Sequence, residues 1–251
     1  MRAGIVYKPD SSTIAKEVCN FLIENGIDAV ILEDWNEAYS YDFLVSVGGD
    51  GTILRLLQFL RDVCPPIFGI NTGKVGLLTH CEYRDYKEHL SEAISTFEIE
   101  KFMRLECSLD LLALNEIAVL TAKPAKMINI KIRVDDVEIE DIRCDGMLFS
   151  TPLGSTAYAL STGGPIIDPC IECILIVPVA PFKLGWKPWV ISANKEIEVE
   201  VIGKAFVVAD GHDVVEIESS TITIKKSEKY ATFFKIKNRI KNIIKKLLNL
   251  R

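Results

Sequence analysis

Phe43-Leu44-Val45-Ser46-Val47-Gly48-Gly49-Asp50-Gly51-Thr52-Ile53 decides how this chain folds. The run Phe43–Val47 is apolar and strand-like, and a helical pattern begins at Thr52 and continues to Leu60. A strand that ends in glycines and opens a helix aims several free backbone N–H groups at one point, so anions gather there. The centre of the turn carries an acid, Asp50, where a Walker loop has a lysine followed by a hydroxyl residue. A carboxylate repels phosphate unless it holds a metal ion or takes a proton from a group attacking that phosphate. Both roles belong to phosphoryl transfer.

Outward from this turn, strand and helix signals alternate in the manner of a parallel α/β layer. Gly4–Tyr7 reads as a strand, Ser12–Glu24 as a helix capped by Ser11 or Ser12, and Ala29–Leu32 as a second strand. Pro66–Ile70 is a further strand, running into Asn71-Thr72-Gly73-Lys74-Val75-Gly76, and Arg84–Phe97 is a helix. Each glycine-bearing loop follows the carboxyl end of a strand, where open α/β sheets bind ligands. From Glu98 the pattern changes to period-two segments such as Asn129–Val134 and Glu196–Ile202, the mark of half-buried antiparallel strands. The expected organisation is an α/β domain with a parallel sheet over residues 1–97 and a mainly antiparallel β domain over 98–234.

The segment 235–251 differs again. Ile236, Ile240, Ile243, Ile244, Leu247 and Leu248 recur at helical spacing, with Lys237, Lys241, Lys245 and Lys246 among them and no acid. The spacing predicts a helix docked on the α/β half, the alternative being attachment to a membrane surface or nucleic acid. Ile240 and Ile244 are expected on its buried face.

The 251 residues are 49% hydrophobic with a formal charge of −6, enough to bury a core in one or two domains. No apolar run approaches the roughly 18 residues that span a bilayer; Cys173–Phe182 is broken by Pro178 and Pro181. The first ten residues read as a strand and turn and lack the apolar core of a signal peptide, so a cytoplasmic location is expected. The seven scattered cysteines point to reduced thiols, and Cys170 and Cys173 alone have metal or redox spacing. His80, His89 and His212 have no zinc-like spacing, and His80 and His89 read as surface residues. No metal cage, nucleic-acid partner or membrane partner is expected.

Two further clusters carry chemistry. Asp145–Pro165 is dense in glycine and hydroxyl residues, with a strand at Met147–Phe149 and Ser155 or Thr156 as the cap of a short helix. Small residues permit close backbone approach and the hydroxyls offer neutral hydrogen-bond partners, a lining suited to a nucleoside; a capped helix between turns is the plainer reading. Asn115-Glu116 precedes the strand Ile117–Leu120, where the glutamate suits vicinal ribose hydroxyls and a solvated loop is the alternative. Asp210-Gly211-His212 reads as a turn.

Taken in order, Gly48–Thr52, Asn71-Thr72-Gly73 with Gly76–Thr79, Asn115-Glu116 and the Asp145–Pro165 stretch resemble the NAD kinase family over nearly the whole chain. The family phosphorylates the 2′-hydroxyl of the adenosine ribose of NAD, giving NADP. The first motif is shared with diacylglycerol and sphingosine kinases; the long Ser150–Tyr158 motif gives the resemblance its specificity. The resemblance implies Asp50 as general base, Gly51 against the dinucleotide, and Asn115 and Glu116 on its ribose and adenine side. It also implies an NAD site completed by Asp145, Leu153, Thr156, Ala157, Tyr158, Ala159, Leu160 and Ser161, with Arg55, Lys126, Arg143, Ala180 and His212 carried over more weakly. His212 stands where the family commonly has glutamine, and Leu153 where many relatives have threonine. ATP or another phosphate-rich donor, a divalent cation such as magnesium, and a homodimer or homotetramer that shares the NAD pocket are further implications. The rivals are a lipid kinase, against which the polar Ser150–Thr162 lining speaks, and a non-enzymatic nucleotide sensor, which has no need of Asp50.

Overall fold

A computed structural model describes residues 1–183, 185–237 and 239–248. The expected helical segment 235–251 therefore includes residues, 238 and 249–251, that lie outside those described. In chain order the first elements are β1 (Arg2–Tyr7), α1 (Ser12–Glu24), β2 (Asp28–Ile31), β3 (Phe43–Gly48), α2 (Asp50–Phe59), β4 (Ile67–Asn71), β5 (Cys81–Glu82), α3 (Tyr86–Thr96) and β6 (Ile99–Phe102). There follow β7 (Leu105–Cys107), β8 (Leu111–Ala113), β9 (Glu116–Thr121), β10 (Ile128–Val134), β11 (Val137–Cys144), β12 (Gly146–Ser150), α4 (Tyr158–Ser161), β13 (Cys173–Val179), β14 (Trp189–Ser192), β15 (Ile197–Ala209) and β16 (Asp213–Lys226). The chain then forms β17 (Ala231–Phe234) and α5 (Arg239–Leu248). Two compact units result, Met1–Lys101 with Ala231–Arg251, and Phe102–Tyr230.

The first unit is built on a seven-stranded sheet of order β2-β1-β3-β4-β17-β6, with β5 beside β4. The pairings among β1, β2, β3, β4, β5 and β17 are parallel. Every residue of β3 and β4 is buried, as expected of central parallel strands covered on both faces. α1 buries Ala15, Val18 and Leu22, one stripe at helical spacing. The order reverses between β1 and β3, the switch point at which open α/β sheets leave a crevice at their carboxyl ends. The glycine turn after β3 lies there, tied to the loop after β1 by the Lys8 N–H on Val47 O at 3.1 Å. Ser11 occupies the N-cap position of α1 without capping it; its hydroxyl pairs with Thr72 Oγ1 at 3.0 Å.

β6 and β17 shift the division expected at residues 97 and 234. Both strands belong to the first sheet, because all four residues of β17 are buried and Phe234 completes an aromatic cluster. Its ring meets Phe43, Phe68 and Phe97 edge-on, with centroids at 5.6, 6.1 and 5.2 Å. α5 turns Ile243 inward and leaves Ile244 exposed, which corrects the expected Ile240/Ile244 face. A spacing that includes 240, 243, 244, 247 and 248 fits two overlapping stripes, and the partner surface selects between them.

The second unit is a ten-stranded antiparallel sheet, β14-β13-β12-β9-β15-β16-β7-β8, with β10 pairing both β15 and β11. Strands such as β10 alternate buried and half-buried residues, following the period-two pattern of their sequences. β12 and most of β13 are instead buried on both faces. Their second face packs Leu148, Leu175 and Val177 against Ala159 of α4 and Ile167. No helix among the described residues is long and apolar enough to cross a membrane, and all seven cysteines are free.

Candidate active site

In the first unit Gly48 is sterically required, since a Cβ there would collide with the Thr52 hydroxyl. Gly49 and Gly51 face open space, so a ligand can come up to their backbone. Asp50 is the first residue of α2. Its carboxylate does not project freely: Oδ2 accepts the Leu77 N–H and Oδ1 the Leu78 N–H, both at 2.8 Å. Burial pushes the Asp50 carboxyl above its ordinary range, opposed by these two amides and by the charge of Lys246.

The clamp depends on the loop between β4 and β5. Buried Asn71 accepts the Gly73 N–H at 3.0 Å and donates to both carboxylate oxygens of Glu82, at 3.1 and 3.0 Å. Gly76 has φ +62°, and a Cβ there would strike Asn71 and Thr79. The Thr79 hydroxyl donates to Gly76 O at 2.8 Å.

His80, expected on the surface, is interior. Its Nδ1 accepts the Gly69 N–H at 2.9 Å, so the proton is on Nε2, which donates to Phe234 O at 2.8 Å. The ring stacks on Phe68 at 4.5 Å, and burial together with the Arg239 charge lowers its pKa to about 3. It is a neutral bridge between β4 and β17. His89 is exposed as expected. Arg55 is exposed with its guanidinium 5.3 Å above the Trp35 ring.

In the second unit Asn115 and Glu116 are buried, not part of a solvated loop. Asp210, in the turn between β15 and β16 at φ +50°, holds them in place. Its carboxylate accepts the N–H groups of Leu114 and Asn115, each at 2.7 Å, and of Glu116 at 3.2 Å. Across the strand pair, the Thr151 N–H and the Ser150 hydroxyl both donate to Asn115 O, at 2.8 and 3.1 Å. Gly154 presses on the same backbone so closely that any Cβ would overlap Asn115. Burial, then the charge of Asp210, raise the Glu116 carboxyl to about 8, partly offset by the Tyr158 N–H. Asp210 is raised to about 6 by burial against its three amides. Asp210 thus ionises first and Glu116 keeps its proton near neutral pH, with Oε2 buried and unpartnered.

The hydroxyl-rich segment behaves differently from its sequence reading. Neither Ser155 nor Thr156 caps α4, whose N-cap is Ala157 without a side-chain bond. The hydroxyls of Ser155, Thr156 and Ser161 donate to the carbonyls of Pro152, Leu153 and Tyr158, three residues back. Their donors are spent on turn geometry, and the buried Ser155 oxygen also accepts the Ile167 N–H at 3.0 Å, which leaves the backbone and the Thr156 and Ser161 oxygens to face a ligand. Leu153 and Ala159 are buried, Leu160 is half-buried, and Tyr158 is exposed beside the Glu116 carboxyl. His212 is exposed, two residues beyond Asp210.

The remaining site residues lie at the other end of the same strands. In the β9/β12 register Glu116 faces Ser150 while Leu120 faces Gly146, and the Thr121 N–H bonds Asp145 O, so Asp145 is separated from Glu116 by about 17 Å of strand. The Asp145 N–H bonds Val179 O at 3.0 Å, next to Ala180 at φ +46°, and Arg143 O accepts the Phe182 N–H at 2.8 Å. Lys126, exposed in the loop after β9, has its carbonyl held by Thr121 at 2.7 Å. Sequence reasoning missed the Leu77 and Leu78 amides and the clamping role of Asp210; Asp210 was visible only as a turn.

A parallel sheet whose glycine turn presents an amide-clamped acid, joined in one chain to a β unit with a buried carboxyl pair under close backbone turns, defines a phosphotransferase acting on nucleotides. Family models for the ATP-NAD kinase N-terminal and C-terminal domains match residues 36–97 and 114–236. The chain belongs to the NAD kinase family. It is 49% identical over 252 residues to NAD kinase from Archaeoglobus fulgidus, covering 100% of both chains. It is 38% identical to NAD kinase from Methanothermobacter thermautotrophicus, covering 94% of this chain and 92% of the relative. Its fold superimposes on the crystal structure of the Archaeoglobus fulgidus NAD kinase in complex with ATP with a TM-score of 0.94, over 99% of each chain. Yeast NADH kinase complexed with NADH has the same fold at 23% identity, with a TM-score of 0.85 over 100% of this chain and 88% of that one. This membership displaces the lipid kinase and the non-enzymatic sensor.

Proposed function

We propose that the chain transfers the terminal phosphoryl group of ATP to the 2′-hydroxyl of the adenosine ribose of NAD, forming NADP, with Asp50 as general base. The observation that carries this is the Asp50 carboxylate, fixed by two amides at the mouth of a glycine turn. Each oxygen keeps a lone pair beyond its amide bond. One of them takes the ribose proton as the oxygen bonds to the γ-phosphorus, while the bond from phosphorus to the β,γ-bridging oxygen breaks and ADP leaves. Burial raises the Asp50 pKa toward the working pH, which favours proton acceptance. The N–H groups of the Gly49–Gly51 turn orient the donor phosphates. The ATP complex of the Archaeoglobus fulgidus relative supports ATP as donor.

Asn115 and Glu116 hold the ribose and adenine side, and Thr156–Ser161 with Leu153 and His212 flank it. Asp145, Arg143, Lys126 and Ala180 complete the NAD site. Their separation from Glu116 along β9 and β12 is compatible with the homodimer or homotetramer that shares its pocket between copies. Among the described residues no group of three His, Cys, Asp or Glu side chains forms a metal cage. A magnesium ion therefore fits this site as one carried by donor phosphates and water, where it would neutralise phosphate charge. The seven free thiols fit a cytoplasmic location. The test is direct: purified protein with ATP, magnesium and NAD should yield NADP, and its absence would overturn the reading.

A further inference from the structure

Lys246, near the end of α5, is half-buried and its ammonium donates to the carbonyl oxygen of Gly76. That carbonyl belongs to the same peptide plane as the Leu77 N–H, which in turn donates to Asp50 Oδ2 at 2.8 Å. We propose that Lys246 is a positioning residue for phosphoryl transfer: through the Gly76–Leu77 peptide it fixes and polarises the amide that orients the Asp50 carboxylate. The proposal rests on Asp50 as the base and adds a second residue to that machinery.

Three observations support it. First, the Gly76 carbonyl already accepts the Thr79 hydroxyl at 2.8 Å, so it does not need Lys246 merely to avoid being unsatisfied. Second, a cation on a peptide oxygen draws electron density from the nitrogen, which strengthens the bond its N–H donates on the far side. Third, the ammonium stands among acids. Burial lowers its pKa most, opposed by Glu82 of β5, Asp50 of α2 and Cys81 of β5, which favour its charge, while Arg239 of α5 lowers it further. Of the other titratable side chains lining that cleft, His80 is held neutral, and His89 and Lys245 are exposed. A half-buried lysine retained against this desolvation cost stabilises the ionised form of the acids it faces, and Lys246 lowers the Asp50 pKa accordingly. α5 on one side and Leu77 with residues 79–82 on the other border a cleft of about 390 Å³, and Lys246 reaches from α5 to the Gly76 carbonyl at its edge.

The experiment compares Lys246→Met, Lys246→Arg and Asp50→Asn with the parent protein. Initial rates of NADP formation from ATP, magnesium and NAD would be followed between pH 5 and 9, beside thermal melts of each protein. Lys246→Met keeps the length and apolar stem and removes the charge. It should lower kcat roughly tenfold and move the acid limb of the profile to higher pH by about one unit. The KM for NAD and the melting temperature should hardly change. Lys246→Arg should restore most of the rate and the parental acid limb. An unmoved acid limb with parental kcat in Lys246→Met overturns the proposal. So does a rate loss that tracks a lowered melting temperature and is not restored by arginine. Retained turnover in Asp50→Asn overturns instead the reading of Asp50 as base, whatever Lys246 does.

Discussion

Glu116→Gln isolates the cost of one buried proton. The native carboxyl titrates at about 8 instead of the ordinary 4.5, so between these values the folded protein keeps a proton that the unfolded chain has released. An acid whose folded pKa is raised contributes stability that is complete below pH 4.5 and is lost as pH rises through about 8. At about 1.4 kcal/mol per pH unit, the loss across the window is at most about 5 kcal/mol. Glutamine has nearly the same shape and cannot ionise, so this slope should vanish in the variant. The assay is urea unfolding at pH 5, 6, 7, 8 and 9, followed by tryptophan fluorescence. Trp186 and Trp189 report on the unit that holds Glu116. The stability difference between parent and variant should change steadily with pH and favour the variant at pH 9. Parallel curves from pH 5 to 9 would mean that Glu116 is already charged in the folded protein and that its partnership with Asp210 has been misread. Because the free site holds Glu116 protonated, the same variant should weaken NAD binding at pH 7 by about 0.5–1.5 kcal/mol, the range of a neutral hydrogen bond, measured by calorimetry.

Asp50→Asn nearly keeps the shape and the Leu78 bond to Oδ1, loses the acceptor for the Leu77 N–H and removes basicity, so turnover should fall roughly a hundredfold or more with NAD affinity nearly unchanged; a near-parental rate would make Asp50 structural. Asp210→Ala strips the acceptor from three buried N–H groups and should cost roughly 3 kcal/mol or more in chemical denaturation, with NAD binding lost in step; an unchanged midpoint would remove the clamp from the account. Ile243→Asp should lower stability by several kcal/mol while Ile244→Asp has little effect, and thermal melts with the reverse ranking would show that α5 buries its other stripe.

Much of the fold is legible in the sequence because it is local. The switch from strand to glycine to helix around Gly48–Thr52 rests on neighbouring residues, and β3, α1 and α2 appear within two residues of their expected bounds. The two families of strand were separable for the same reason, since alternation is written residue by residue. The site was legible as motifs but not as geometry. Asp50 is held by amides 27 and 28 residues away, and the Asn115-Glu116 backbone by a carboxylate some 95 residues on. Nothing in either segment states that the other will arrive. His80 reads as a surface residue because its partners, Gly69 and Phe234, lie on strands 11 and 154 residues distant. The Ser150–Thr162 hydroxyls show a different limit. Composition counts donors, whereas the turn conformation decides whether those donors face a ligand or the carbonyl three residues back.

The placement of β17 has a consequence for synthesis. Phe233 pairs with Ile67 across most of the chain, and Phe234 fills the space among Phe43, Phe68 and Phe97. A ribosome therefore delivers β1 through β6 long before the strand that belongs between β4 and β6 exists. Until residue 234 emerges, β4 offers unpaired main-chain groups and an aromatic hollow to any passing strand, while the inserted β unit already has all its residues and can fold ahead of it. The half that carries Asp50 is thus the last to close, and a polypeptide interrupted anywhere before Ala231 would hold a complete β unit and an unfinished sheet prone to clumping.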